Sequence, residues 1–278
     1  MAVEIQVVSD LYQTYHYRFY ESDKYTPLTI EPKALYLALL GNVGRVVEQK
    51  DAFFTFIRSQ LTKFEVMFFV PGNHEAWHSS WAETLESLRE FERQTLNDDS
   101  LGDFIVMDRR SYQIPGTGVV ILGCSLFSYL EPRYHLDFEW APIDFLTISD
   151  WNAEKHNQMH ERDLQWLNLE VVKMEWNMVD PKVVILTHWS PSRDPRSIYP
   201  PYSFRAVEKT TDLFREICFT SPLVKAWAFG HTDHVCDFMA ERDDGAGSLQ
   251  ILSHPHGFDV NQPSAGWDGG KVIHVPSE

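Results

Sequence analysis

The stretch Val66-Met67-Phe68-Phe69-Val70-Pro71-Gly72-Asn73-His74-Glu75 passes directly from an unbroken apolar run into a turn carrying an amide, an imidazole and a carboxylate. A run of that kind reads as a strand covered on both faces. Gly72 gives the turn the freedom to bend sharply and to approach a bound group. The same order recurs along the chain. Val3 to Val8 leads to Asp10, Ala34 to Leu40 to Gly41-Asn42-Val43-Gly44, Val183 to Leu186 to Thr187-His188, and Ala226 to Phe229 to Gly230-His231-Thr232-Asp233. One such turn would be an ordinary loop, but a succession of them, each bearing Asp, Asn or His, places polar chemistry at the C-terminal ends of strands. That edge is where open α/β sheets bind ligands.

Between the runs, Asp51 to Phe64, Trp81 to Leu96 and Asn152 to Trp176 carry apolar residues at helical spacing, so strands alternate with helices and the class is α/β. Val119 to Leu122 is a further strand. Ser248 to Leu252 and Lys271 to Val275 add two more around a Gly-, Pro- and Asn-rich loop. With 278 residues, no repeat and no low-complexity linker, the expectation is a single domain over residues 1–278.

Composition narrows the class. Hydrophobic residues make up 44% and aromatic residues 14%, which is the make-up of a folded chain. A net charge of −16 repels a phosphate backbone, so nucleic acid is not an expected partner. Local positive charge can still hold a small phosphate. Three cysteines, Cys124, Cys218 and Cys236, offer no disulfide framework, and neither a signal peptide nor a long apolar span is evident. These features predict a cytoplasmic protein without a membrane partner.

The series Asp10, Gly41-Asn42, Gly72-Asn73-His74-Glu75, His188 and Gly230-His231-Thr232-Asp233 resembles the signature of the calcineurin-like metallophosphoesterases: Asp-x-His, Gly-Asp, Gly-Asn-His-Asp/Glu, a lone His and Gly-His-x-His. The resemblance spans Asp10 to Phe238. It implies a four-layer α/β/β/α sandwich of the metallophosphoesterase type. It also implies hydrolysis of phosphoesters by two metal ions about 3.5–4 Å apart. By that resemblance the second metal seat is complete as Asn73, His188 and His231, donors that suit manganese, zinc or iron. The first seat, which takes Asp, His, a bridging Asp and a last His, reads Asp10, Tyr12, Asn42 and Asp233. Asn42 cannot supply the anionic bridge that holds two dications together. An all-oxygen seat would prefer a harder ion than zinc. One divalent metal is therefore expected and the second is in doubt.

The resemblance gives His74 the role of protonating the leaving oxygen, with Glu75 beside it, and in a metal-dependent hydrolase Asp10 or Asp233 could orient the nucleophile. Asn42 and Asp233 remain candidate metal residues, with ordinary turn chemistry as their alternative. Tyr12, His156, His234, His254 and His256 are candidate substrate contacts. For Tyr12 the alternative is a packed aromatic, and for the His156 and His160 pair a polar helix face. The loop from Arg193 to Arg205, with three prolines, is a candidate lid. The leading functional expectation is a metal-dependent hydrolase of a small phosphoester. A cleft turned to another reaction on a small organic molecule, with one metal or none, is the second, and a non-catalytic binding protein the third.

Overall fold

A computed structural model describes residues 2–13, 28–131, 143–177, 180–198, 209–242, 246–257 and 263–277. The apolar runs become the centres of two mixed sheets. In the first, β11 (Lys271–Pro276), β1 (Ala2–Val8), β2 (Tyr36–Leu39), β3 (Val66–Phe69) and β4 (Asp103–Val106) lie in that order. β1 to β4 are parallel and β11 closes the edge antiparallel, with Ile5 opposite Ile273. The second sheet has the order β5 (Arg110–Gln113), β6 (Val119–Cys124), β7 (Lys182–Thr187), β8 (Val224–Phe229), β10 (Ser248–Ser253) and β9 (Cys236–Glu241). Its four central strands are parallel and its two edges antiparallel.

Three apolar layers join these elements. Val3, Ile5, Val7, Phe68 and Ile105 from the first sheet interleave with Ile121, Val184, Leu186, Ala226 and Ala228 from the second. The outer face of the first sheet packs on α1 (Lys50–Leu61) and α2 (Trp81–Thr95) through Phe53, Phe56, Ile57, Leu88 and Phe91. The outer face of the second packs on α3 (Ala153–Trp176) and a short helix at Ile217–Thr220 through Leu167, Val171, Cys218 and Phe219. Helix, sheet, sheet, helix is the layering the sequence resemblance implies, and a parallel sheet needs such cover because both its faces are apolar. α2 starts at a capping box in which Ser80 and Glu83 exchange hydrogen bonds, satisfying amides that the first turn leaves without partners. Cys124, Cys218 and Cys236 are buried free thiols. Among the described residues no helix is long and apolar enough to cross a membrane.

Three strands escape the apolar-run reading. β4 is short, β5 is mostly exposed, and β9 alternates between covered and open positions at a sheet edge. The Arg193–Arg205 loop is described only through residue 198. Its visible part holds a 3-10 turn at Pro195–Ser197, with Arg196 paired to Asp194 and stacked 4.0 Å over Phe238. Residues 199–205 lie outside the described residues.

Candidate functional site

The loops that leave β1, β2, β3, β7 and β8 meet at one edge of the two sheets, held in an unusual backbone. Asp10, Tyr12, Asn42, His231 and Asp233 all have φ between 49° and 66°, a region L-residues rarely visit. Such strain concentrates at functional loops because only dense packing can impose it. The glycines of these turns are required by space. A Cβ on Gly72 would lie 2.6 Å from Asn42 Oδ1 and 2.7 Å from the His188 ring, and one on Gly41 would lie 2.6 Å from His188 Nδ1.

Glu75 fastens two of the loops. Its Oε2 accepts from the backbone amides of Asn42 at 2.9 Å and Gly72 at 2.7 Å, while its Oε1 accepts from Val43 at 2.7 Å and Gly44 at 3.2 Å. The carboxylate is fully buried and turned into the backbone, so the geometry gives it positioning work.

Asp10 and Asn42 form the centre of the first seat. Asn42 Nδ2 donates to Asp10 Oδ1 at 3.0 Å, and Asn42 Oδ1 accepts from the His74 amide at 3.1 Å. The Tyr12 hydroxyl lies 3.4 Å from Asp10 Oδ1, and the backbone amide of His231 donates to Asp10 Oδ2 at 2.9 Å. Burial, and then the nearby Asp233, push the Asp10 carboxyl up to about 7. Burial followed by the same carboxylates pushes the Tyr12 phenol well above its usual range, so it stays neutral. Asp233 is taken by a residue that carries no motif: Lys209 Nζ lies 2.6 Å from its Oδ2. Amide, phenol and ion pair thus engage the atoms a metal would need. Asn42, an amide, supplies no anionic bridge between the two seats.

The second seat is built differently. His188 Nδ1 lies 2.7 Å from the Leu40 carbonyl, which can only accept, so Nδ1 carries the proton and Nε2 a lone pair. Asn73 is oriented by Asp144, which accepts from Asn73 Nδ2 at 2.9 Å and from Trp77 Nε1 at 2.7 Å. That leaves Asn73 Oδ1 facing His188 Nε2 at 3.3 Å. Burial holds the His188 imidazole down at about 3, so no second proton separates the two acceptors. The His231 ring sits 4.9 Å from that of His188 and 4.8 Å from that of Trp189. Burial first, then the repulsion that a second proton on the His188–His231 pair would meet and the charge of Lys209, keep it neutral. Two lone pairs facing each other beside a third neutral imidazole are a donor set that a divalent ion fits. Among the described residues no group of three or more His, Cys, Asp or Glu side chains that could hold a metal ion is found.

His74 lies between the seats. Its ring stacks on Trp77 at 3.8 Å and meets Tyr12 edge-on at 5.0 Å. Burial, then the positive charge of neighbours including Arg45 and Lys209, hold it well below the usual imidazole range.

The remaining candidates stand further out. His156 and His160 are buried rather than on an open helix face: His156 Nε2 lies 3.3 Å from Ser128 Oγ, and His160 Nδ1 faces the Leu126 and Phe127 carbonyls at 3.2 and 3.1 Å. Trp189 stands between His156 and His231, with ring distances of 5.8 and 4.8 Å. His254 stacks on Trp267 at 4.9 Å and meets Asp268 at 3.1 Å, and His256 packs on the same indole. Their loop reaches the site through its backbone: Gly257 N donates to Asp10 O at 3.0 Å and His256 N to Ser9 O at 2.9 Å. His234 is half-buried next to Asp233.

The calcineurin-like phosphoesterase pattern matches residues 7–235, which takes in every one of the converging loops. The chain belongs to the calcineurin-like phosphoesterase family. Among solved structures it is similar to the phosphopantetheinyl hydrolase of Mycobacterium tuberculosis, at a TM-score of 0.60 and 14% identity over 91% of this chain and 90% of that one. At that identity the likeness speaks for the fold alone. No curated protein matches it in sequence.

Proposed function

We propose that this member of the family is a metal-dependent hydrolase of a small phosphoester that works with one metal, on Asn73, His188 and His231. The observation that carries the reading is the pair of opposed acceptors, Asn73 Oδ1 and His188 Nε2, held by Asp144 and by the Leu40 carbonyl. A divalent ion bound there would supply Lewis-acid polarisation of a phosphoryl oxygen and an acidified water. The chain does the rest. Trp77 and Tyr12 fix the His74 ring, which enters the cycle neutral and gains basicity when an anionic phosphoryl group arrives beside it, so that it can carry a proton to the leaving oxygen. Asp10, enclosed by Asn42, Tyr12 and His231, orients the group that attacks phosphorus. The P–O ester bond breaks, its oxygen leaves as an alcohol, and the attacking water's oxygen remains on phosphate. The net charge of −16 favours a small molecule over a nucleic acid.

The test is turnover of a panel of aryl phosphomonoesters and phosphodiesters by manganese-loaded protein. Turnover is expected, with His74→Ala slower by ~10²–10⁴ and metal content unchanged. Background rates over the whole panel would instead favour a cleft turned to another reaction.

A further inference from the structure

Lys209 lies outside every motif of the site, yet its ammonium is delivered into the first seat. The delivery is structural. Thr210 forms a parallel bridge with Ser190, Ser190 N donates to Lys209 O at 3.2 Å, and Thr211 N donates to Ser190 O at 3.1 Å. Lys209 is thereby fixed beside the segment that follows His188. Its Nζ lies 2.6 Å from Asp233 Oδ2 with the pair largely enclosed, the side chains being 19% and 12% exposed. Asp233 Oδ1 finds no hydrogen-bond partner among the described residues. Asp233 follows His231 by two residues, and the His231 amide donates to Asp10 Oδ2 at 2.9 Å, so the ammonium paired with Asp233 stands at the first seat.

Two roles are open to such a pair. A purely structural pair would neutralise the second of two neighbouring carboxylates, Asp10 and Asp233. That explains why a cation is needed but not why a backbone bridge to the segment after His188 delivers it there. We propose that Lys209, steered by Asp233, stands in the first seat as a fixed organic cation and binds the phosphoryl oxygen of the substrate there. The claim rests on the phosphoester reading of the cleft. An ammonium has three N–H donors, so it can keep Asp233 and still donate to a phosphate oxygen. It brings half the charge of the dication and needs no anionic bridge, which matches an amide at Asn42. Arg45 also acts on His74 electrostatically, but its guanidinium is paired with Glu48 at 2.5 Å.

The experiment is calorimetric titration of full-length, metal-free protein with inorganic phosphate in the presence of a chelator, beside thermal melts. Wild type is expected to bind phosphate. The double variant Lys209→Met with Asp233→Asn removes the pair without changing net charge, and should weaken phosphate binding by about 10- to 100-fold, the scale of a hydrogen bond to a charged group. Its Tm should stay near wild type, and Lys209→Arg should keep most of the affinity. Equal phosphate affinity in wild type and double variant, or no phosphate binding by wild type, would overturn the proposal. Should the double variant melt early, Lys209→Gln alone is titrated, and unchanged affinity there overturns it too. The two readings separate cleanly. Phosphate binding lost with Lys209, together with no phosphoester turnover by metal-loaded wild type, would sink the hydrolase and leave the cation. Turnover with KM and kcat unchanged in the double variant would sink the cation and leave the hydrolase.

Discussion

Asn42 donates its side-chain amide to Asp10 Oδ1 at 3.0 Å, and so turns what a carboxylate at position 42 would make a repulsion into a hydrogen bond. The amide stabilises the loop without a cation. Asn42→Asp should therefore destabilise the metal-free protein by about 1–3 kcal/mol, because a buried carboxylate would then face another. Added manganese should recover more stability in the variant than in wild type. Thermal melts with and without chelator check both statements, and identical melts for the two proteins would contradict them.

Glu75 collects four backbone amides from two loops, a task that only a carboxylate can do with both oxygens. Glu75→Gln places an N–H₂ group against N–H donors and should cost about 2–4 kcal/mol in denaturant unfolding. Activity should follow the folded fraction. A variant as stable as wild type but inactive would show that Glu75 takes part in the chemistry.

Asp163 on α3 ties down the loop after β6, with Oδ1 2.7 Å from Arg109 Nη1 and Oδ2 accepting from Leu126 N at 2.9 Å. Burial outweighs the Arg109 charge and pushes its carboxyl up to about 6 from the ordinary 3.8. A raised carboxyl means the folded state holds its proton more tightly than the unfolded chain. Its contribution is thus full below about pH 4 and lost as pH rises through about 6. Unfolding free energy of wild type minus that of Asp163→Asn should fall by on the order of 2–3 kcal/mol across that window. A flat difference from pH 4 to 6.5 would contradict this.

Much of the molecule was legible in its sequence because buried parallel strands are written as apolar runs and their ends as polar turns. The convergence of Asp10, Asn42, Asn73, His74, His188, His231 and Asp233 follows from that grammar. Other residues carry no such mark. Asp144 sits in a four-residue helix, Asp144–Thr147, and matters only because the fold brings it to Asn73 and Trp77. Lys209 belongs to a polar segment whose bridge to Ser190 is a tertiary event. His156 and His160 have the spacing of a polar helix face, but the loop after β6 folds over them and supplies their partners. The carboxylate of Glu75 reads as chemistry beside His74 until its amide partners from a distant loop are seen.

A hydrolase that works with one metal per chain should show it in a titration of metal-free protein with manganese in which aryl phosphate turnover and bound metal are followed together. Turnover should rise with metal and level off at one equivalent bound per chain, and His188→Ala should abolish the rise. A plateau reached only at two equivalents, or no turnover at any metal loading, would contradict the one-metal reading.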